Sequence, residues 1–262
     1  MIEHSDNVIF IGSLASLLAS LGTIVGAVLI WTVKALSVRA QDMLLSSAAG
    51  VMLAASVFSL LLPGIAHGEA QGLGAGGAAT VVSLGMLLGA AVLALIHAFT
   101  PHQHFFKGRE GKDSKRIGGI WLFVIAIALH NFPEGMAVGV GFAGGEVSSG
   151  IPLAVGIFLQ NIPEGLAVAV ALYSIGYSRL FGFAVAAGTG FIEPVGGLFG
   201  ATLVSIATPI LPWILGGAAG AMIFIISNEI IPETHKDGHE HAATFSLMAG
   251  FGLMMILDTA LA

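Results

Sequence analysis

An all-α polytopic membrane protein with eight spans is what this sequence predicts, and three observations carry the prediction. Of its 262 residues, 56% are hydrophobic and only 9% charged, with a mean hydropathy of +0.96. A soluble domain carries roughly a quarter charged residues. Apolar stretches recur at about 8–32, 43–65, 79–98, 118–142, 151–173, 180–206, 212–231 and 244–261. Each is close to the roughly 20 residues a helix needs to cross a bilayer core. Finally, all nine lysines and arginines fall in the odd-numbered connections between these stretches, the asymmetry described by the positive-inside rule. Both termini are therefore expected outside the cytoplasm, and residues 1–262 read as a single transmembrane domain.

The residues before the first span, Met1-Ile2-Glu3-His4-Ser5-Asp6, include no basic one. A cleavable signal peptide has a positive leading region, so this span is expected to be retained. Lys34 and Arg39 mark the first cytoplasmic connection. The second span carries Met52 and Ser59 and is expected to break from His67-Gly68-Glu69 onward. After the third span, a His-bearing cytoplasmic loop is predicted at about 99–117, with His97 just before it and His102, His104 and five basic residues within it. The fourth and fifth spans contain two near-identical hexapeptides, His130-Asn131-Phe132-Pro133-Glu134-Gly135 and Gln160-Asn161-Ile162-Pro163-Glu164-Gly165, separated by the break Gly144-Gly145-Glu146. Arg179 opens the sixth span, which holds Glu193-Pro194 at its middle, and Thr208-Pro209 closes it. The seventh holds Asn228 and Glu229 and leads to His235, Lys236, His239 and His241; the last is apolar except for Asp258 near its outer end. The 37 glycines read as points of close helix contact.

The paired hexapeptides carry the chemistry. Polar side chains at membrane depth are costly and usually face a bundle interior, a partner or an ion. At 1.5 Å per residue, Glu134 and Gln160 lie roughly 12–14 Å deep, near the midplane of a core about 30 Å thick. A short connection makes the two helices an antiparallel hairpin, so the motifs are expected to face one another. His130 and Glu134 are four residues apart, as are Gln160 and Glu164, and each pair projects from one helix face. Pro133 and Pro163 free the carbonyls of Leu129 and Leu159 and are expected to kink both helices. Such breaks at membrane depth mark cavities and transporter midplane sites. There is no cysteine, so any metal must be held by oxygen and imidazole, a set that suits zinc, iron, nickel or manganese. The combination reads as a transporter of divalent metal ions, with Glu193 as a third carboxylate for the same site. No basic patch points to nucleic acid.

These residues resemble the ZIP (Zrt/Irt-like) metal transporters, and in particular their bacterial GufA-like branch. The resemblance rests on the two hexapeptides, Glu193-Pro194 and Asn228-Glu229-Ile230-Ile231-Pro232-Glu233-Thr234-His235, and covers essentially the whole chain. It implies eight helices in a three-two-three inverted repeat in a bacterial inner membrane. It implies one metal position formed by Met52, His130, Glu134, Gln160 and Glu164. A neighbouring position would use Asn131, Glu134, Asn161, Glu164 and Glu193, with Glu134 and Glu164 bridging. On its own, Met52 reads as ordinary core. The resemblance further places Ser59 and Asp258 on the outer approach, and Asp42, Asn228 and Glu229 near the inner exit. For Asp258, a carboxylate snorkelling to the interface is the competing reading.

Two positions depart from the pattern: some relatives carry Asp where this chain has Asn161, and His where it has Asn228. With Asn161, three carboxylates face the four positive charges of two dications, so the second position is expected to bind more weakly.

Zn2+ is the expected cargo, with Cd2+, Fe2+ and Mn2+ as alternatives, and no catalytic cofactor is expected. The lipid bilayer and a second copy of the chain are the other expected partners. Alternating access is the expected mechanism, the resemblance implying an elevator-like movement of helices one, four, five and six against the rest. Protons would compete with metal for His130 and the glutamates, making transport pH-dependent. The histidines flanking the third and seventh connections would receive the ion inside or sense its level. An intramembrane zinc hydrolase is the alternative from another class, but His-Glu-x-x-His is absent and the doubled motif supplies more ligands than a three-ligand catalytic zinc needs. A passive channel and a metal sensor are further alternatives.

Overall fold

A computed structural model describes residues 2–32, 37–99, 112–143, 147–206, 208–235 and 238–261. Among the described residues every regular element is helical. The long helices are α1 (Ile2–Val28), α2 (Val38–Ala70), α3 (Gly74–Phe99), α4 (Lys112–Ala143), α5 (Val147–Ser174), α6 (Arg179–Gly190 and Ile192–Ile206), α7 (Leu211–Thr234) and α8 (Glu240–Leu261). Among the described residues, seven of these helices have a window long and apolar enough to cross a membrane. At 32 residues α4 is about 48 Å long, more than a bilayer core requires.

Some predicted breaks move. α2 continues through His67-Gly68-Glu69 to Ala70, and the chain turns instead at Gly72, where φ is +88°, a value glycine adopts without steric cost. The predicted loop at 99–117 is shorter, because Phe99 closes α3 and Lys112 opens α4. Backbone hydrogen bonding thus runs past the apolar window at both ends. Lys34, His102, His104, Lys107, Arg109, the Gly144-Gly145-Glu146 break and Lys236 lie outside the described residues, and nothing is described of the His97 side chain.

The packing has an internal symmetry. The densest pairs are α4 with α6, α1 with α5, α2 with α8 and α3 with α7. Exchanging α1 with α6, α2 with α7, α3 with α8 and α4 with α5 maps this set onto itself, the pattern of an inverted repeat. The local irregularities obey the same exchange. A π-helical turn interrupts α2 at Ser56–Leu61 and α7 at Ile226–Ile230, and each is followed two residues later by a proline, Pro63 and Pro232. Proline cannot donate to the carbonyl four residues back and its ring crowds it; a π turn absorbs the mismatch. Those carbonyls belong to Ser59 and Asn228.

The helices form two groups. α1, α4, α5 and α6 pack together, as do α2, α3, α7 and α8, while the groups meet chiefly through α2 against α5 and α4 against α7. Among the described residues, every glycine whose added Cβ would strike another helix's backbone does so within its own group: Gly26 on Ile162, Gly139 on Gly197, Gly89 on Gly217 and Gly50 on Leu247 are examples. Gly156 of α5, between the groups, faces the Met254 side chain of α8 instead. α3 and α8 are the least buried spans and turn Leu87, Leu88, Phe245 and Ile256 outward, as helices against lipid do.

Candidate metal centre

α4 and α5 bring the hexapeptides face to face. Both helices run on through Pro133 and Pro163. Gln160 Nε2 on α5 donates to Glu134 Oε1 on α4, so the two motifs stand at equal depth. The final glycine of each motif sets the spacing to a third helix. A Cβ on Gly135 would strike the Glu193 backbone of α6, and one on Gly165 the Thr23 backbone of α1. These contacts exchange under the symmetry above.

The break in α6 follows from Pro194. The first piece ends at Gly190, four residues before it, and Phe191 turns back to donate to Gly188 O at 3.3 Å. The Thr189 carbonyl accepts from Asn131 Nδ2 at 2.7 Å. Ser16 Oγ on α1 donates to the Glu193 carbonyl at 2.9 Å. Asn161 Nδ2 donates twice, to Ala19 O on α1 at 3.1 Å and to Glu193 Oε2 at 2.7 Å. Four helices therefore converge on one polar cluster.

His130, Asn131, Glu134, Gln160, Asn161, Glu164 and Glu193 are each no more than 2% exposed. Glu134, Glu164 and Glu193 lie close enough for their charges to act on one another. Buried polar groups nearly always have a partner, yet here many atoms have no hydrogen bond: Asn131 Oδ1, Glu134 Oε2, Gln160 Oε1, Asn161 Oδ1, both oxygens of Glu164, Glu193 Oε1 and His130 Nδ1. The oxygens are all lone-pair donors, and an imidazole has a lone pair on one nitrogen unless protonated. Every amide has bound its nitrogen to protein and left its oxygen free. Such a cluster calls for a cation and fits the oxygen–imidazole chemistry of zinc or iron. Among the described residues no three His, Asp or Glu side chains stand grouped as a metal-holding set; amides stand beside the carboxylates in this cluster.

The remaining predicted residues are placed as follows. Met52 is fully buried in the main apolar cluster with Leu153 and Ile157. Glu229, in the π turn of α7, reaches His130, its Oε2 lying 3.3 Å from Nε2. Asn228 is exposed and lines, with Ser227 and Phe224, a cavity of about 370 Å³ between α3 and α7. Ser59 Oγ, in the π turn of α2, donates to Asp258 Oδ1 at 2.6 Å. Asp42 is buried and pairs with His239 at 2.9 Å. His235 is engaged at both ring nitrogens, by Ile231 O at 2.9 Å and Thr244 Oγ1 at 3.1 Å, and serves as a tie between α7 and α8. Sequence reasoning missed Ala19 and Thr189, whose carbonyls hold the amides, and Ser16, which holds the Glu193 carbonyl. The trace of Ser16 is the hydroxyl spacing Ser13, Ser16, Ser20, Thr23 along the apolar stretch of α1.

Comparison with known proteins places the chain among zinc-transporter sequences. The family described as ZIP Zinc transporter matches residues 101–258. Zinc transporter ZIPB of Bordetella bronchiseptica is 50% identical over 240 residues, 91% of this chain and 77% of that protein. Zinc transporter GufA of Myxococcus xanthus is 43% identical over 250 residues, 95% of this chain and 98% of that protein. Human zinc transporter ZIP11 is 32% identical over 320 residues, covering 91% of this chain and 94% of its own.

Proposed function

Because the chain belongs to the ZIP zinc-transporter family, we propose that it carries divalent transition-metal cations, zinc above all, inward across a bacterial inner membrane. The observation that carries this reading is the cluster of buried, partnerless lone pairs at mid-depth. The ion would be held by His130, Glu134, Gln160 and Glu164, with Met52 as a soft neighbour. To take it, Gln160 must release Glu134 and turn its oxygen inward. The hydrolase alternative fails: this is a transporter family, and a site lined by so many ligand atoms leaves little need for a catalytic water.

A hydrated cation would enter past Asp258 and Ser59 and exchange its waters for protein oxygens. It would then leave by Glu229, which already touches His130, and by Asp42 with His239. The placement of basic residues supports this direction, with both termini outside. A negative-inside potential adds about 2.3 kcal/mol per charge per 100 mV. The two helix groups, tight within and side-chain-packed between, support alternating access by movement of α1, α4, α5 and α6 against the rest. Cd2+, Fe2+ and Mn2+ are proposed as competing cargo, and a homodimer through the lipid-facing spans as the assembly.

The test is zinc uptake into proteoliposomes with competing dications. Glu134→Ala and Glu164→Ala are each expected to abolish uptake while the protein still reconstitutes. Full uptake by either variant would overturn the assignment.

A further inference from the structure

Asn161 differs from the other amides of the site in answering two acceptors at once, the Ala19 carbonyl and the Glu193 carboxylate. Both accept only. Turning the amide over would set Oδ1 against two oxygens, so its orientation is locked. We propose that this lock makes the site take one dication at a time, with Asn161 the residue that sets that number; the inference rests on the metal-site reading above.

Three features of the geometry lead there. A second dication beside Glu193 must draw the carboxylate away from the amide, leaving a fully buried N–H without its acceptor. The Glu193 backbone is tied through its carbonyl to Ser16 on α1, so only its side chain could move to serve both. On the opposite side Asn131 is tied to Thr189 O, so both amides of the neighbouring position are committed through their nitrogens. Beyond the shared oxygens of Glu134 and Glu164, what is free there is one oxygen of Glu193 and the neutral oxygens of Asn131 and Asn161, so two dications would set four positive charges against three carboxylates. The amide nitrogen of Asn161 thus does for Glu193 what a second cation would otherwise do.

An aspartate at this position reverses each feature. It cannot donate to Ala19 O or Glu193, and it brings a fourth carboxylate against the four positive charges of two dications. Asn161→Asp is therefore expected to raise the count from one ion to two.

The experiment is cadmium stoichiometry on the full chain in detergent, by metal analysis after equilibrium dialysis, together with anomalous scattering from cadmium-soaked crystals. One cadmium per unaltered chain, with Asn161 Nδ2 still within hydrogen-bond distance of Glu193 Oε2, supports the proposal. Two cadmium ions per folded Asn161→Asp chain supports it further. Two well-occupied ions in the unaltered protein, or an ion seated between Asn161 and Glu193, overturns it even if the variant fails to fold. A folded Asn161→Asp that still binds one overturns it as well. No cadmium in the unaltered protein would instead overturn the metal-site reading itself.

Discussion

Gln160 divides its labour between its two ends: the nitrogen secures Glu134 and the oxygen has no partner. Gln160→Leu, similar in size, removes both and leaves the glutamates in place. It is expected to weaken zinc binding by about 10–100-fold, the usual effect of losing a group that orients a metal ligand. Competition binding in detergent would measure this, and an unchanged affinity would reduce Gln160 to a packing residue. The histidines of the last connection separate in the same way. His235 has both nitrogens engaged within the protein, so His235→Ala should lower thermal stability by about 1–2 kcal/mol and leave zinc release unaltered. His239 pairs with Asp42 on the proposed exit, so His239→Ala should slow release with little change in melting temperature. The polar residues of the cluster were legible in the sequence because ionisable and amide groups stand out against apolar spans. Their holders were not. Ala19 and Thr189 act through backbone carbonyls, which no residue type announces, and the contacts join positions as far apart as Asn161 and Ala19.

Among elements, the same glycine content does two different things, and only packing tells them apart. Gly135 and Gly165 end the two hexapeptides where another backbone passes within the space of a Cβ, whereas Gly188 of α6 and Gly252 of α8 have nothing within 4 Å of theirs. Gly135→Val and Gly165→Val should therefore push α6 off α4 and α1 off α5 and yield little monodisperse protein. Gly188→Ala and Gly252→Ala should fold normally or gain about 0.5–1 kcal/mol, since alanine is the better helix former. Size-exclusion profiles and thermal melts of the four variants would decide. The spans themselves were legible from apolar length, but their ends were not, because helical hydrogen bonding continues beyond the hydrocarbon window. The π turns were likewise hidden. Pro63 and Pro232 signal a break near Ser59 and Asn228, but whether a proline gives a kink, a π turn or, as with Pro194, a full interruption depends on the helices around it.

For the whole molecule, the division into two helix groups supports a carrier over a pore. Backbone-to-backbone glycine contacts lock each group internally, while Gly156 on α5 meets only the flexible Met254 side chain of α8 and Val51 of α2. A boundary made of side chains can slide; one made of interlocked backbones cannot, because close-packed backbone has no lower-energy rotamer to escape into. The chain has no cysteine, so paired thiols can be introduced without interference. Linking Gly156→Cys to Met254→Cys with a short bifunctional thiol reagent should arrest zinc uptake, and uptake should return on reduction. Linking Gly64→Cys to Leu215→Cys, where a Cβ on Gly64 lies 3.3 Å from that of Leu215 inside the second group, should leave uptake intact. If the first link forms in full and saturable uptake persists, the groups do not move against each other, and the ion must pass through a static pathway. Uptake that also fails to saturate would make that pathway a channel.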